Sequence, residues 1–165
     1  MKDKKKKSNK KKKWIKLRHR IFKSILWLTL GTYTRLKYSI KIDKLKDSGK
    51  RNYFILSNHQ TAGDQFFVGM AFKKHLYYVA TEDLFSNGFV SKIIKYLVAP
   101  IPIKKSTNDV NAVMNCMRVA REGGSVALFP EGNRTYSGKT EYIKPSVAQL
   151  AKALKLPIAF FRIEG

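Results

Sequence analysis

The 165-residue chain carries 34 Lys+Arg against 11 Asp+Glu, a net +23, which points to a polyanionic partner such as nucleic acid or an anionic membrane. Its 44% hydrophobic and 12% aromatic content excludes disorder over most of the length, and the length suits one domain with a real core rather than two. A single cysteine, Cys116, excludes an internal disulfide and fits a reducing compartment.

Residues 1–13 are a low-complexity lysine tract, expected to be disordered in water through self-repulsion. Thirteen Lys/Arg and one acid, Asp3, precede residue 24, a local net +12. The segment does not read as a cleavable signal peptide: the basic run is too long, the apolar stretch after it is interrupted, and no small-residue cleavage site follows. No run of 18 apolar residues occurs, so no ordinary transmembrane helix is expected. From Trp14 the pattern becomes helical. Trp14, Leu17, Ile21, Ile25 and Leu28 recur at steps of three and four, widened by Ile15, Phe22 and Leu26, while Lys16, Arg20 and Lys23 fall opposite. Such a helix either settles into a lipid headgroup boundary or packs on the domain with a solvated basic side; the attached lysine tract favours the membrane. Arg18 interrupts the apolar face, with a stem long enough to snorkel.

The remainder alternates. Strands are expected at 52–57, 76–80, 98–103, 125–129 and 157–163. Helices are expected at 63–75, within 83–97, at 108–122 and from Pro145, a residue favoured in the first turn. The alternation predicts an α/β domain with a largely parallel sheet covered by helices. Cys116 falls inside a predicted helix, where buried packing is its default role.

Two polar clusters follow apolar strands, where α/β folds place their sites. In the first, Asn58-His59-Gln60-Thr61-Ala62-Gly63-Asp64, a histidine is able to take a proton from an alcohol if a carboxylate fixes its tautomer and stabilises the imidazolium. Five residues apart on a straight helix, His59 and Asp64 would point about 140° apart. They meet only if His59 lies in a turn before the helix, a turn that Gly63 eases. One acid near one histidine is weak support by itself. In the second cluster, Phe129-Pro130-Glu131-Gly132-Asn133-Arg134-Thr135, Gly132 permits close backbone approach and Arg134 offers a planar fork for phosphate. The bland alternative is a solvated loop with a surface Arg–Glu pair.

Taken together and in this order, the clusters resemble the lysophosphatidic acid acyltransferase family, the glycerolipid acyltransferases. Asn58-His59 followed by four residues and Asp64 is similar to that family's first signature block, and Phe129-Pro130-Glu131-Gly132-Asn133-Arg134 to its third. Ile101-Pro102-Ile103-Lys104-Lys105 falls where the second block lies, and Leu156-Pro157-Ile158 where the fourth does. The resemblance runs from about Tyr53 to the end of the sequence. It implies that His59 is the base for an acceptor hydroxyl and that Asp64 orients and charges it. Direct attack on an acyl thioester follows, without an acyl-enzyme. Lys105, Glu131, Gly132 and Arg134 hold the glycerol-phosphate end of a lysophospholipid, most simply 1-acylglycerol-3-phosphate going to phosphatidic acid. Lys105 stands where the second block usually has arginine, keeping the charge but losing the bidentate fork. The donor is acyl-CoA or acyl carrier protein, as a co-substrate, with no cofactor.

The implied organisation is a tract at 1–13, a membrane-surface helix and linker at 14–40, and an acyltransferase domain at 41–165. Because family members usually continue past the fourth block, a C-terminally incomplete domain is expected. The implied place is the cytoplasmic face of an anionic membrane, held peripherally. No metal site is expected, since His19, His59, His75 and the cysteine lack ligand spacing, and no Gly-x-Ser-x-Gly nucleophile setting occurs. The rival classes are a basic nucleic-acid-binding module driven by the tract and a lipid-binding domain without catalysis. Against the first, the chain shows no nucleic-acid motif, so no specific nucleic acid partner is expected.

Overall fold

The computed structural model describes residues 13–82, 88–104, 109–135 and 142–164; the lysine tract up to residue 12 and Lys105 lie outside them. Strands β1 (Phe54–Ser57), β2 (Leu76–Thr81), β3 (Ile101–Ile103), β4 (Ser125–Leu128) and β5 (Ile158–Phe161) form one sheet in the order β3-β2-β4-β1-β5. Every strand pair is parallel. The connecting helices are α2 (Asp64–Ala71), α3 (Gly88–Leu97), α4 (Val110–Arg121) and α5 (Ser146–Leu154), preceded by α1 (Leu17–Tyr38). The predicted α/β architecture with a parallel sheet is therefore the observed one.

Alternation along the strands divides the core. Phe54, Tyr77, Val79, Ile101 and Val126 pack under α4 and α5 through Cys116, Val119, Val147, Leu150 and Leu154. Tyr53, Ile55, Leu76 and Ala127 turn to the other face, against Val68, Ala71 and Phe72 at α2. The helices start and stop for local reasons. Asp109 caps α4, its carboxylate accepting from the backbone N–H of Ala112 at 3.1 Å and of Lys104 at 3.0 Å. Pro145 has helical torsions immediately before Ser146. The Pro-interrupted segment 98–103 yields only three strand residues, because proline has no N–H to give a ladder.

The first helix departs from expectation. It begins at Leu17 rather than Trp14 and runs on to Tyr38. Trp14 and Ile15, partly buried, pack instead against the domain core. Their backbone N–H groups donate to the Glu122 carboxylate at 2.8 and 2.9 Å, tying the chain to the end of α4. Lys23, expected on a solvated polar side, is half-buried. Its ammonium donates to the carbonyls of Phe72 and of Lys74, at 2.7 Å for the latter. The reason is that α1 rests on the domain through a narrow face of small and polar groups, His19, Gly31 and Thr34. A lysine stem there reaches carbonyls of the segment that follows α2, at Phe72 and Lys74. The wider apolar stripe of Leu17, Ile21, Ile25, Leu28 and Leu36 stays exposed. Among the described residues no helix is long and apolar enough to cross a membrane.

His19 is 1% exposed and its Nδ1 meets the Tyr77 hydroxyl at 3.1 Å. His75 lies beside it, ring centroids 5.6 Å apart. Burial, with smaller contributions from His75, Arg18 and Lys16, lowers the His19 pKa to about 4. Between the ordinary histidine value and 4 the unfolded chain therefore takes up a proton that the folded chain refuses, so stability falls as pH falls through that window. Melting temperatures measured from pH 7.5 to 4.5 should drop more for the wild type than for His19→Gln, so that the two curves converge at the acidic end.

Candidate active site

Parallel strands β1 and β4 are neighbours, and their carboxyl ends carry the two polar clusters side by side. From β1 the chain moves through α2 toward β2; from β4 it moves through α5 toward β5, on the opposite side of β1. The two connections run past each other on opposite faces, α2 on one and α5 on the other, and leave a crevice at the strand ends, the usual binding position in open α/β sheets.

His59 lies in the turn ahead of α2, and Asp64 is the first residue of that helix, 1% exposed. The turn folds the carboxylate back beneath the imidazole: His59 Nδ1 and Asp64 Oδ2 are 2.9 Å apart. The same oxygen accepts the backbone N–H groups of Gln60 at 2.5 Å and Thr61 at 2.8 Å, while Oδ1 accepts the Thr61 hydroxyl at 2.6 Å. Burial alone would raise the Asp64 carboxyl, but these hydrogen bonds hold it below the ordinary carboxylate value. An ionised carboxylate has no proton to give, so Nδ1 carries the hydrogen and Nε2 of the neutral ring presents its lone pair. Nε2 has no hydrogen-bond partner among the described residues. Gly63 has ordinary torsions, φ −91° and ψ −9°, so the turn does not draw on glycine's freedom; the local constraint is the Phe67 ring, 3.4 Å from where a Cβ would be.

The second cluster fixes the first. Thr135 donates to the His59 carbonyl through its backbone N–H at 2.8 Å and its hydroxyl at 3.3 Å. The His59 N–H points to Glu131 Oε1 at 3.4 Å. The Phe129 ring stacks on the imidazole with centroids 4.2 Å apart and planes 19° from parallel, and Tyr78 stacks behind Phe129 at 6.2 Å. These contacts hold both the backbone and the ring plane of His59. On the far side of the loop, Asn58 clamps the chain after β5: its amide donates to the Ile163 carbonyl at 2.9 Å and accepts the Ile163 N–H at 2.8 Å.

Phe129-Pro130-Glu131-Gly132 forms a turn closed by the Gly132 N–H on the Phe129 carbonyl at 3.1 Å, with Gly132 at φ +73°. The left-handed torsion is what favours glycine there. A Cβ would stand 2.8 Å from Lys144 Nζ, a contact that the flexible end of that side chain relieves by moving. The Lys144 side chain thus lies across the bare Gly132 backbone, and among the described residues its ammonium makes no ion pair.

His59, Gly132, Asn133 and Lys144 share the wall of one cavity of about 1440 Å³. Its apolar lining passes Phe66 and Met70 of α2 and Leu26 and Trp27 of α1, and also Val113, Cys116 and Leu150 of α4 and α5. Glu131 and Arg134 are not part of this wall: Glu131 is buried toward His59, and Arg134 is exposed. The alternative of a surface Arg134–Glu131 pair is not what the structure shows: Glu131 is buried and its Oε1 meets the His59 N–H. The Cys116 thiol is buried, and desolvation pushes its pKa up to about 12, so it is not poised as a nucleophile. Among the described residues no group of His, Cys, Asp or Glu is placed to hold a metal ion. Sequence reasoning passed over Thr61, Thr135, Phe129 and Lys144. Thr135 and Phe129 lay inside a cluster already singled out, but nothing in their spacing marks a ring stack or a carbonyl clamp.

The sequence model of the Acyltransferase family matches residues 36–163. The chain belongs to the Acyltransferase family. Among its relatives are a chloroplastic 1-acyl-sn-glycerol-3-phosphate acyltransferase of Brassica napus, 24% identical over 145 residues, and a 1-acyl-sn-glycerol-3-phosphate acyltransferase of Bacillus subtilis, 25% identical over 116 residues. These alignments cover 85% and 69% of this acyltransferase-family chain, but only 41% and 56% of the relatives. In fold it is similar to the crystal structure of the 1-acyl-sn-glycerophosphate acyltransferase PlsC from Thermotoga maritima, with a TM-score of 0.54 and 17% identity over 85% of this chain and 69% of that one.

Proposed function

We propose that this acyltransferase-family domain transfers a fatty acyl group from a thioester, acyl-CoA or acyl carrier protein, to the free hydroxyl of a lysophospholipid, 1-acylglycerol-3-phosphate first among them. The observation that carries the reading is the 2.9 Å contact between His59 Nδ1 and a buried Asp64 carboxylate, on a histidine that lines a largely apolar cavity. In this reading Nε2 takes the proton from the acceptor hydroxyl as its oxygen attacks the thioester carbonyl. The tetrahedral intermediate collapses to the ester and expels the thiolate, which recovers that proton from the imidazolium. The cycle balances with one ester and one free thiol formed, and it needs neither a covalent enzyme intermediate nor a cofactor.

Acceptor phosphate has a cationic neighbourhood to meet. Lys144 stands over Gly132 at the cavity wall, and Arg134 follows two residues after Gly132 with an exposed side chain; Lys105, outside the described residues, is assigned to the phosphate by the second-block resemblance alone. Glu131 supports the reading as an orienting group beneath His59 rather than as a direct contact to the acceptor. Lys144→Ala and Arg134→Ala should each raise the KM for a phosphorylated acceptor about tenfold, the order expected for a lost charge-assisted contact. They should leave kcat within about twofold, and the KM effect should vanish for an acceptor lacking the phosphate. Steady-state kinetics with paired acceptors separates the two.

The exposed stripe of α1 supports a peripheral position on an anionic, cytoplasmic membrane face, where such acceptors reside. The direct test of function is mass spectrometry of products after incubation with a panel of lysophospholipids and both donor types. Formation of phosphatidic acid from one donor is the expected result; no acyl transfer to any acceptor would overturn the reading.

A further inference from the structure

Helix α3 is built the wrong way round for a helix whose outer face meets water. Phe89, Ile93 and Tyr96 recur at four and three residues, which places them within about 60° of one another on the helix. They are 76%, 41% and 58% exposed. Ser91, on the opposite side, is half-buried. A soluble surface helix turns its apolar stripe inward and its serine outward. Lys92 and Lys95 are exposed beside the stripe.

This stripe is joined to the exposed stripe of α1. Arg18, the residue that interrupts the apolar face of α1 in the sequence, donates from Nε to the Tyr96 carbonyl at 2.8 Å. Its guanidinium lies over the Tyr96 ring, 3.8 Å from the centroid. Both terminal amino groups of Arg18 are left without a protein partner among the described residues. An arginine stacked on a tyrosine between two apolar stripes, with two donors still to spend, matches the headgroup level of a bilayer: ring below, guanidinium at the phosphates. Ile94 of α3 and Trp27 and Leu30 of α1 line the cavity that contains His59, so the joint surface borders the site.

We propose that α1 and α3 form one composite docking plane for an anionic phospholipid bilayer, with Phe89 and Ile93 entering the acyl boundary and Arg18, held by Tyr96, binding a lipid phosphate between them. The charge of the chain chooses this occupant: the flanking lysines and the net +12 before residue 24 complement a negative surface. An apolar protein partner or a second copy of the chain would have no use for them. The inference extends the membrane position given above but does not depend on catalysis, so its failure and the failure of the acyl-transfer reading are read in different assays.

The test is made on the full chain with vesicles of phosphatidylcholine alone or mixed with phosphatidylglycerol. Because Cys116 is buried, an environment-sensitive NBD label attaches selectively at Phe89→Cys. On addition of mixed vesicles its emission should shift to the blue and be quenched by lipids carrying nitroxide on the acyl chain. In flotation, Phe89→Ser combined with Ile93→Ser should weaken binding about tenfold at low and high salt alike, as expected for lost apolar insertion. Arg18→Ala should weaken binding to mixed vesicles and leave the low binding to neutral ones unchanged. Both sets of positions are exposed or half-buried, and unchanged melting temperatures confirm folding. Flotation through α1 with unshifted NBD emission overturns the proposal. So does an unaltered affinity of the double variant, or a label already buried in a concentration-dependent dimer without lipid.

Discussion

His59→Ala is expected to lower acyl transfer by about 10²–10⁴-fold, the usual consequence of removing a general base, while melting temperature and vesicle binding stay near wild type. The expectation of an intact fold comes from the geometry. The interactions that hold residue 59 in place are made by its backbone, with Thr135 on the carbonyl and Glu131 on the N–H. Alanine keeps all of them. What is lost is the ring, its stack on Phe129 and the base itself. Asp64 keeps three of its four donors, so the carboxylate is not left stranded. The effect should fall on kcat with little change in the KM of either substrate, because the proton is transferred only as the reaction proceeds. Turnover within about tenfold of wild type, or a covalent acyl group trapped on Cys116, would falsify the direct-attack mechanism.

Much of this was legible in the sequence, for identifiable reasons. Strands such as Phe-Ile-Leu-Ser and Ser-Val-Ala-Leu are short apolar runs bounded by polar loops, and five of them alternating with helical periodicity fix a parallel α/β sheet almost by themselves. The turn ahead of Asp64 was legible as a condition, since at a spacing of five the pair could meet only if His59 preceded the helix. Neighbouring positions for β1 and β4 were not. Strand order is a property of tertiary packing, and only the resemblance of the two clusters to one family's blocks suggested that segments 70 residues apart would meet. The polar side of α1 was misread for a related reason. Helical periodicity identifies a broad apolar stripe, but it cannot say that the stripe faces outward while a narrow face of His19, Gly31 and Thr34 docks. Lys23 looked solvated because its partners are backbone carbonyls, and backbone groups carry no sequence signal. Glu131 is a similar case: that one oxygen of its carboxylate meets the His59 backbone N–H carries no sequence signal.

Asp64→Asn is expected to be nearly as severe, lowering kcat by at least about 10²-fold and by up to ~10⁴-fold if the imidazole tautomer is also disturbed. The substitution keeps shape and most hydrogen bonding. Two backbone N–H groups, from Gln60 and Thr61, converge on Oδ2, and they favour placing the asparagine carbonyl oxygen there. It then still accepts from His59 Nδ1. The amide nitrogen falls at the Oδ1 position, where the Thr61 hydroxyl can rotate from donor to acceptor. What disappears is the negative charge opposite an imidazolium that exists only while the proton is in transit, so the loss is felt in kcat rather than in acceptor binding. A second signature follows from the depressed carboxyl of the wild type. A folded carboxyl held below its unfolded value contributes stability that is present above the ordinary aspartate range and is lost as pH falls through the folded value. Asp64→Asn lacks that contribution at every pH, so its melting temperature should lie below wild type near neutrality and approach it in acid. Kinetics and thermal melting on the same preparation test both halves. A variant with near-normal kcat means that Asp64 is a helix-starting residue that happens to touch His59; one with wild-type stability at neutral pH means that the charge of the carboxylate adds nothing to what its hydrogen bonds supply.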